Sequence, residues 1–168
     1  MYDTVLFMKV VSIYTDGSCD TQSGKGAWAF LLRFEADDGV HELLRSSYVA
    51  NTTNNRMELS AAIYALQSLS EACAVEIFTD SQYLKKAFSD GWLQQWQKNG
   101  WKTAAKKEVK NKDLWLELLA QSQHHNILWQ WLKGHAGHRY NELVDGWALQ
   151  ARRLERGDES RRFIPHRT

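Results

Sequence analysis

The chain has little proline, little cysteine and no long apolar run, and each shortage excludes a class of protein. One proline among 168 residues, with 43% hydrophobic residues, excludes collagen-like and low-complexity chains. Two cysteines, Cys19 and Cys73, are too few for a disulfide framework and predict a reducing, cytoplasmic location. No apolar run approaches the roughly 18 residues that a membrane helix needs. The first residues lack the basic leader and cleavage site of a signal peptide.

Charge of both signs is present, but it is unevenly distributed. The formal net charge is +1, yet residues 101–112 hold five lysines and one glutamate. Residues 151–168 hold six arginines and three acidic residues, so the rest of the chain is acidic. Tryptophans flank the lysine-rich segment, which favours a functional surface over a solvated face. The arginine-rich tail contains Gly157 and Pro165 and is predicted to fray.

The periodicity of apolar residues predicts a single α/β domain. β-rich runs predict strands at residues 10–15, 26–34, 40–49, 74–79 and 127–132. Helical spacing predicts helices at residues 53–69, 81–89, 92–99, 112–124 and 141–155. Strands 1–3 are predicted to be antiparallel, and strands 1, 4 and 5 parallel through right-handed crossovers. The prediction is one domain over residues 1–168, with a five-stranded mixed sheet, helices on both faces and a core at about 9–153 between frayed ends at 1–8 and 154–168.

Four acidic residues are predicted to meet at one edge of this sheet. Asp16 and Asp80 each end a predicted strand, and the carboxyl ends of parallel strands are where open α/β sheets bind ligands. A single aspartate here is more often a turn residue, but two equivalent strand ends favour a site. Glu58 and Asp145 lie near the starts of two predicted helices. Four carboxylates would repel one another unless a cation neutralised them, and Mg²⁺ or Mn²⁺ prefers such oxygen ligands.

A glycine-flanked loop at residues 133–138, Lys-Gly-His-Ala-Gly-His, follows the fifth predicted strand. Its glycines free the backbone and allow His135 to project towards the sheet edge. His135 could shuttle protons near neutral pH. A lone loop histidine more often has no role, but this loop leads directly to Asp145, which favours a place in the site.

Several motifs, in this order, resemble those of type 1 ribonuclease H of the bacterial kind. They are Thr-Asp-Gly-Ser-Cys at residues 15–19, Thr-Thr-Asn-Asn-Arg-Met-Glu-Leu at 52–59, Phe-Thr-Asp-Ser-Gln-Tyr at 78–83 and the loop at 133–138, followed by Asn141, Glu142 and Asp145. The resemblance runs from Lys9 to Arg153 and implies a ribonuclease H-like fold. Residues 92–112 resemble the basic protrusion of that family. His138-Arg139-Tyr140 stands where the family has a His-Pro-Glu stretch.

The resemblance implies an endonuclease that cuts the RNA strand of an RNA–DNA hybrid and leaves 5′-phosphate and 3′-hydroxyl ends. It implies that Asp16, Glu58, Asp80 and Asp145 are catalytic and bind metal, and that His135 assists proton transfer or product release. Two Mg²⁺ ions, with Mn²⁺ as an alternative, would flank the scissile phosphate. A monomer with no obligate protein partner and no membrane association is expected.

The same resemblance implies which residues contact the hybrid. The minor groove is expected to meet the backbone near Cys19 and the side chains of Gln22, Asn54, Asn55 and Gln82. The DNA strand is expected to meet Thr53 and Arg56 at a phosphate, Trp92 and Trp96 at deoxyriboses, and Lys102, Lys106 and Lys107 along its backbone. For Trp96 and Trp101, packing within the protrusion is an equal alternative. The other predicted core tryptophans are Trp28, Trp115, Trp129, Trp131 and Trp147.

Two other functions remain open. The chain could be another nuclease of the same fold, such as an integrase, transposase or resolvase. The Asn-Asn-Arg-Met-Glu stretch together with the lysine–tryptophan segment disfavours that alternative. It could also be a non-catalytic module that binds hybrids. The acidic quartet disfavours this second alternative, because uncompensated carboxylates would repel a phosphate backbone.

Overall fold

Six strands and five helices make up the part of the chain that the computed structural model describes, residues 8–134 and 137–167. The strands are β1 (Lys9–Cys19), β2 (Gly26–Ala36), β3 (Gly39–Val49), β4 (Cys73–Thr79), β5 (Asn126–Trp131) and β6 (Asp158–Pro165). The helices are α1 (Asn54–Gln67), α2 (Gln82–Ser89), α3 (Trp92–Lys98), α4 (Lys112–Ser122) and α5 (Arg139–Leu154). The strands form one mixed sheet in the order β5-β4-β1-β2-β3-β6.

The predicted topology is confirmed. β1, β2 and β3 form an antiparallel meander, whereas β4 pairs in parallel with both β1 and β5. Alternate residues of the strands face two cores, as the two-residue period of a strand requires. Phe30 and Leu43 pack with α1 on one face, and Leu31 and Leu44 pack with Val144 of α5 on the other. The sheet therefore carries helices on both faces.

The structure differs from the sequence prediction at β6, the sixth strand. The prediction had five strands and a frayed tail at residues 154–168. β6 pairs antiparallel with β3, from Gly39 opposite Pro165 to Ser46 opposite Asp158. Its side chains are exposed, so the strand has no apolar alternation to signal it in the sequence. Ion pairs across the strands, such as Arg162 with Glu42, help to attach it. Residues 1–7, also predicted to fray, lie outside the described residues.

The site end of β1 is also longer than predicted. Asp16-Gly17-Ser18 is typical of a turn, but β1 continues to Cys19, which pairs with Gly26 of β2. The antiparallel partner strand satisfies the backbone groups that a turn would otherwise expose. Asp16 consequently lies within a paired strand and not at its free end, which fixes its backbone.

Side-chain caps start α1, which carries Glu58, and α2, which follows β4. The Thr53 hydroxyl accepts a hydrogen bond from the Arg56 amide at 3.3 Å, so Thr53 is the cap that the sequence predicted as Thr53 or Asn54. Ser81 caps α2 in the same way through the Leu84 amide at 3.2 Å.

The core lies mainly between the sheet and α1. Leu59 and Leu66 of α1 are fully buried with Ile13, Phe30 and Ile77. Among the predicted core tryptophans, Trp28 and Trp115 are buried, and three are half-buried against the cores: Trp129, Trp131 and Trp147. Among the helices described, none combines the length and the apolar character needed to cross a membrane.

Candidate active site

Three carboxylates meet at the carboxyl end of the parallel strands. Asp16, Glu58 and Asp80 each offer an oxygen, and these oxygens all lie within 4.8 Å of one another. Tyr14 of β1 pairs with Phe78 of β4, so Asp16 and Asp80, each two residues further on, lie at the same level of the sheet. The structure therefore brings these three sequence-predicted residues together at one edge.

Gly17 allows α1 to bring Glu58 to this edge. A Cβ atom at Gly17 would lie 2.6 Å from the Glu58 nitrogen and 2.7 Å from the Met57 carbonyl carbon, which is inside contact distance. Only glycine permits so close an approach of strand and helix. The Gly17 amide also donates to Asp16 Oδ1 at 2.9 Å. Gly17 therefore allows Asp16 on β1 and Glu58 on α1 to lie close together.

Asp145 joins the cluster from α5 on the other face of the sheet. Its carboxyl group lies close enough to Asp16 to help raise the pKa of Asp16. Asp145 is exposed, whereas Asp16 is 6% exposed. The loop after β5 approaches as well, because a Cβ atom at Gly134 would lie 3.2 Å from Asp80 Oδ2. His135 itself lies outside the described residues.

Burial and mutual repulsion raise the pKa values of two carboxylates in the cluster. Burial, the charge of Glu58 and the contacts with Asp145 and Asp80 raise the pKa of Asp16 to about 10. Burial and the charge of Asp80 raise the pKa of Glu58 to about 8. Glu58 Oε2 is buried without a hydrogen-bond partner. Because hard divalent cations prefer carboxylate oxygens, this set of donors, with one unpaired buried oxygen, fits Mg²⁺ or Mn²⁺.

These raised pKa values predict how pH changes the stability of the metal-free protein. The ordinary values of 3.8 and 4.5 apply to the unfolded chain, so the folded chain binds more protons above them. The stability contributed by these two groups is therefore fully present at low pH and is lost as pH rises towards about 8 and 10. Between pH 6.5 and 8, the free energy of unfolding in EDTA should fall by about 1.4 kcal/mol per pH unit for each proton that only the folded chain retains.

Denaturant unfolding in EDTA at several pH values in that range measures the slope. The Asp16→Asn variant is the control, because it removes the strongest contribution and should flatten the profile. A wild-type stability that rises with pH across this range would contradict the assignment of raised pKa values to the cluster.

A surface beside the cluster contains the residues expected at the minor groove. The Thr52 amide donates to the Gly24 carbonyl at 2.9 Å, and Cys19 Sγ lies 3.5 Å from the Thr52 carbonyl oxygen. These contacts tie the β1–β2 loop to the start of α1. The expected residues on this surface are Cys19, which is half-buried, and Gln22, Asn54 and Asn55, which are exposed. Gln82 is exposed at the start of α2, two residues after Asp80.

Arg56, expected at a phosphate, is already engaged by α4. Its Nη1 and Nη2 atoms donate to the two carboxylate oxygens of Asp113 at 3.0 and 2.8 Å. Nη1 also donates to Asn111 Oδ1 at 3.3 Å. Neither Asn111 nor Asp113 is predicted from the sequence, because more than 50 residues separate each from Arg56. This end-on pairing uses one edge of the guanidinium and holds it at the start of α1.

The tryptophans after Asp80 form a connected group. Trp96 has ring centroids 6.1 Å from Trp92, 6.2 Å from Trp101 and 5.7 Å from Trp115. Trp96 and Trp101 are half-buried against the main core, and not only within the protrusion, whereas Trp92 is 37% exposed. Beyond them lie three exposed lysines: Lys102, Lys106 and Lys107.

The sheet order and the position of the acidic cluster together define an α/β protein of the ribonuclease H-like class. Among solved structures, the fold is similar to LC9-RNase H1, described as a type 1 RNase H with the type 2 active-site motif. The TM-score is 0.78 at 25% sequence identity, and the match covers 95% of this chain and 78% of that chain.

The chain belongs to the RNase H family, because the model of that family matches residues 8–153. It is 53% identical over 144 residues to the ribonuclease H of Chromohalobacter salexigens, covering 86% of this chain and 85% of the relative. It is 53% identical over 137 residues to that of Thermus thermophilus, covering 82% and 80%. It is 47% identical over 158 residues to that of Oleidesulfovibrio alaskensis, covering 94% and 96%. The chain is therefore an enzyme of the ribonuclease H type, a hydrolase.

Proposed function

We propose that the chain hydrolyses the RNA strand of RNA–DNA hybrids and leaves 5′-phosphate and 3′-hydroxyl ends. The observation that carries the proposal is the cluster of Asp16, Glu58 and Asp80 within 4.8 Å at the sheet edge, in a chain of the RNase H family. Carboxylates crowded this closely repel one another, and a divalent cation between them would relieve that repulsion.

Asp16, Glu58, Asp80 and Asp145 would hold two Mg²⁺ ions, or Mn²⁺ in their place. When bound, such ions provide an activated water near neutral pH and stabilise charge on the leaving oxygen. The protein supplies the arrangement: β1 and β4 fix two carboxylates at one level, and α1 and α5 bring one from each face of the sheet. His135 would move a proton during the reaction or assist product release, as its loop leads into α5.

Selection of an RNA strand needs contacts that read the 2′-hydroxyl, which DNA lacks. The surface formed by the β1–β2 loop and the start of α1 offers such contacts beside the cluster. Its residues are the Cys19 backbone and the side chains of Gln22, Asn54 and Asn55, and Gln82 would add a contact from the start of α2. Amide side chains both donate and accept hydrogen bonds, as does a 2′-hydroxyl.

The DNA strand would follow the other side of the cluster, towards α3. Thr53 and Arg56 would contact a phosphate, since the start of α1 and a held guanidinium favour an anion there. Trp92, which is 37% exposed, and the edge of Trp96 would contact deoxyriboses. Lys102, Lys106 and Lys107 would follow the phosphate backbone.

The chain would act as a monomer in the cytoplasm. All four carboxylates come from one chain, which supports action without a protein partner. Its two cysteines, Cys19 and Cys73, are both free, which supports a reducing compartment.

A panel of labelled substrates tests the proposed function. The protein is incubated with an RNA–DNA hybrid, double-stranded RNA, double-stranded DNA and each single strand, in Mg²⁺ or in EDTA. We expect cleavage of the hybrid alone, and only with Mg²⁺. Cleavage of double-stranded DNA would favour another nuclease of the same fold. Binding of the hybrid without cleavage in Mg²⁺ would favour a non-catalytic module.

The lysine-rich protrusion gives a prediction that separates binding from chemistry. Lysines that meet phosphates release counterions, so their contribution weakens as salt rises. Replacing Lys102, Lys106 and Lys107 with alanine should raise KM at low salt and leave kcat little changed. The salt dependence should become shallower by about one unit of log–log slope for each lysine that meets a phosphate in the wild type.

Steady-state kinetics at several salt concentrations measure both quantities. Arg161→Ala with Arg167→Ala is the control, because it removes exposed cations near the opposite edge of the sheet. Unchanged KM and salt slope in the lysine variant would place the hybrid elsewhere. A loss of kcat with unchanged KM would place the lysines in the chemical step.

A further inference from the structure

Three aromatic rings form a row beneath the carboxylates on the α5 face of the sheet. Phe78 stacks on Tyr14 with ring centroids 4.7 Å apart, and Tyr14 contacts Tyr140 at 5.0 Å. Tyr14 stands two residues before Asp16, and Phe78 two residues before Asp80. Because side chains alternate along a strand, each ring lies on the same face as the carboxylate that follows it. Tyr140 completes the row from α5.

Arg33 also contacts the Tyr140 ring. The Arg33 guanidinium lies over the Tyr140 ring, 4.5 Å from its centroid. Arg33 is itself fixed, because its Nε donates to Glu42 Oε2 at 2.8 Å. The other oxygen of the buried Glu42 accepts from Arg162 of β6 at 2.6 Å. Tyr140 thus contacts both Tyr14 of β1 and an arginine that two further strands keep in place, and these two contacts form a clamp on Tyr140.

This clamp lies where α5 has no side-chain cap of its own. The residue before the helix, His138, makes no capping hydrogen bond with its side chain. Tyr140 is the second residue of α5, and Asp145 follows five residues later, about 7.5 Å along the axis. The far end of the helix has a separate attachment, because Arg152 Nε donates to Ser18 Oγ at 3.0 Å. The contacts of Tyr140 therefore act together with the buried Asn141 and Val144 to attach the end of α5 that carries Asp145.

We propose that Tyr140, which contacts both Tyr14 and Arg33, is a positioning residue that keeps Asp145 near Asp16 and thereby sets the divalent-metal affinity of the cluster. The inference rests on the proposed function for the metal, and Tyr140 acts through α5 without touching the substrate.

Magnesium titration of the substrate-free protein by calorimetry tests this role. Tyr140→Leu removes the ring from the clamp and should raise the dissociation constant for Mg²⁺ roughly tenfold, as loss of a residue that orients a metal ligand does. Tyr140→Phe keeps the ring and should restore the wild-type affinity. Tyr64→Leu is the matched control, because it removes another helical tyrosine stacked on an aromatic ring, Trp28, at 4.5 Å. Its Mg²⁺ affinity should equal that of the wild type.

A second variant keeps the test independent of folding defects. Arg33→Lys keeps a charge beside Glu42 but loses the flat face over Tyr140, and it should weaken Mg²⁺ binding in the same direction. In kinetics, Tyr140→Leu should lose rate at low Mg²⁺, recover it at saturating Mg²⁺ and keep the wild-type KM for the hybrid.

The outcomes separate this inference from the function on which it rests. Wild-type Mg²⁺ affinity in both folded variants, Tyr140→Leu and Arg33→Lys, would overturn the positioning role alone. An equal loss of affinity in Tyr64→Leu would also overturn it, because general destabilisation would then explain the effect. Failure of the wild-type protein to bind any divalent cation would contradict both the proposed function and this inference.

Discussion

Asp16→Asn should abolish cleavage of the RNA–DNA hybrid and raise the melting temperature of the metal-free protein. Asparagine keeps the shape of the side chain and an oxygen that can accept from the Gly17 amide, so the fold is retained. It removes one of the carboxylates that would bind metal, and the neutral amide cannot supply the negative charge that is lost. In metal-free protein it also removes a buried group that must either keep a proton or repel Glu58 and Asp80.

The stability that Asp16→Asn gains over the wild type should grow with pH, because retaining a proton on Asp16 costs more free energy as pH rises. For a chain of this size, each kcal/mol of relieved repulsion raises the melting temperature by about 2–4 °C. Hybrid cleavage in Mg²⁺ and thermal unfolding in EDTA measure the two effects. Asp37→Asn, in the exposed turn between β2 and β3, is the control and should change neither. Substantial turnover by Asp16→Asn with Mg²⁺ would remove the cluster from catalysis.

His135→Ala should slow cleavage by roughly ten- to ten-thousand-fold without ending it. This range is typical of a group that assists proton transfer while other groups continue to act. The prediction comes from the sequence of the loop, since His135 lies outside the described residues. Initial rates from pH 6 to 9, around the reference pKa of histidine, measure the effect.

A matched histidine separates this effect from a general response to substitution. His41 is exposed on β3, at the end of the strand near the β2–β3 turn, and His41→Ala should leave the rate unchanged. Wild-type rates in His135→Ala across the whole pH range would remove His135 from the mechanism.

The acidic cluster could be predicted because its determinants are local. Asp16 and Asp80 each follow a β-rich run, and parallel pairing places such positions at one edge. Glu58 lies one turn into a helix whose cap, Thr53, is visible in the sequence. Asp145 stands shortly after a glycine-containing loop. In each case the period of the element and its start or end fix where the carboxylate lies.

Other features could not be predicted because they depend on contacts between distant segments. β6 is exposed throughout and lacks the alternation that identifies a strand, so only its pairing with β3 reveals it. Asp113 meets Arg56 across 57 positions of sequence, and no local pattern marks either as a partner. The clamp on Tyr140 likewise requires Arg33, which lies on another strand. Tertiary packing, and not local propensity, brings these side chains together.

The central claim is that the cluster at Asp16, Glu58 and Asp80 hydrolyses the RNA strand of a hybrid with divalent metal. Its most direct test is one hybrid, prepared with the label on the RNA strand or on the DNA strand, and incubated with wild-type protein in Mg²⁺. We predict that only the RNA strand is cut, that its fragments carry 5′-phosphate and 3′-hydroxyl ends, and that EDTA stops the reaction. Cleavage of the labelled DNA strand, or cleavage that persists in EDTA, would contradict the account.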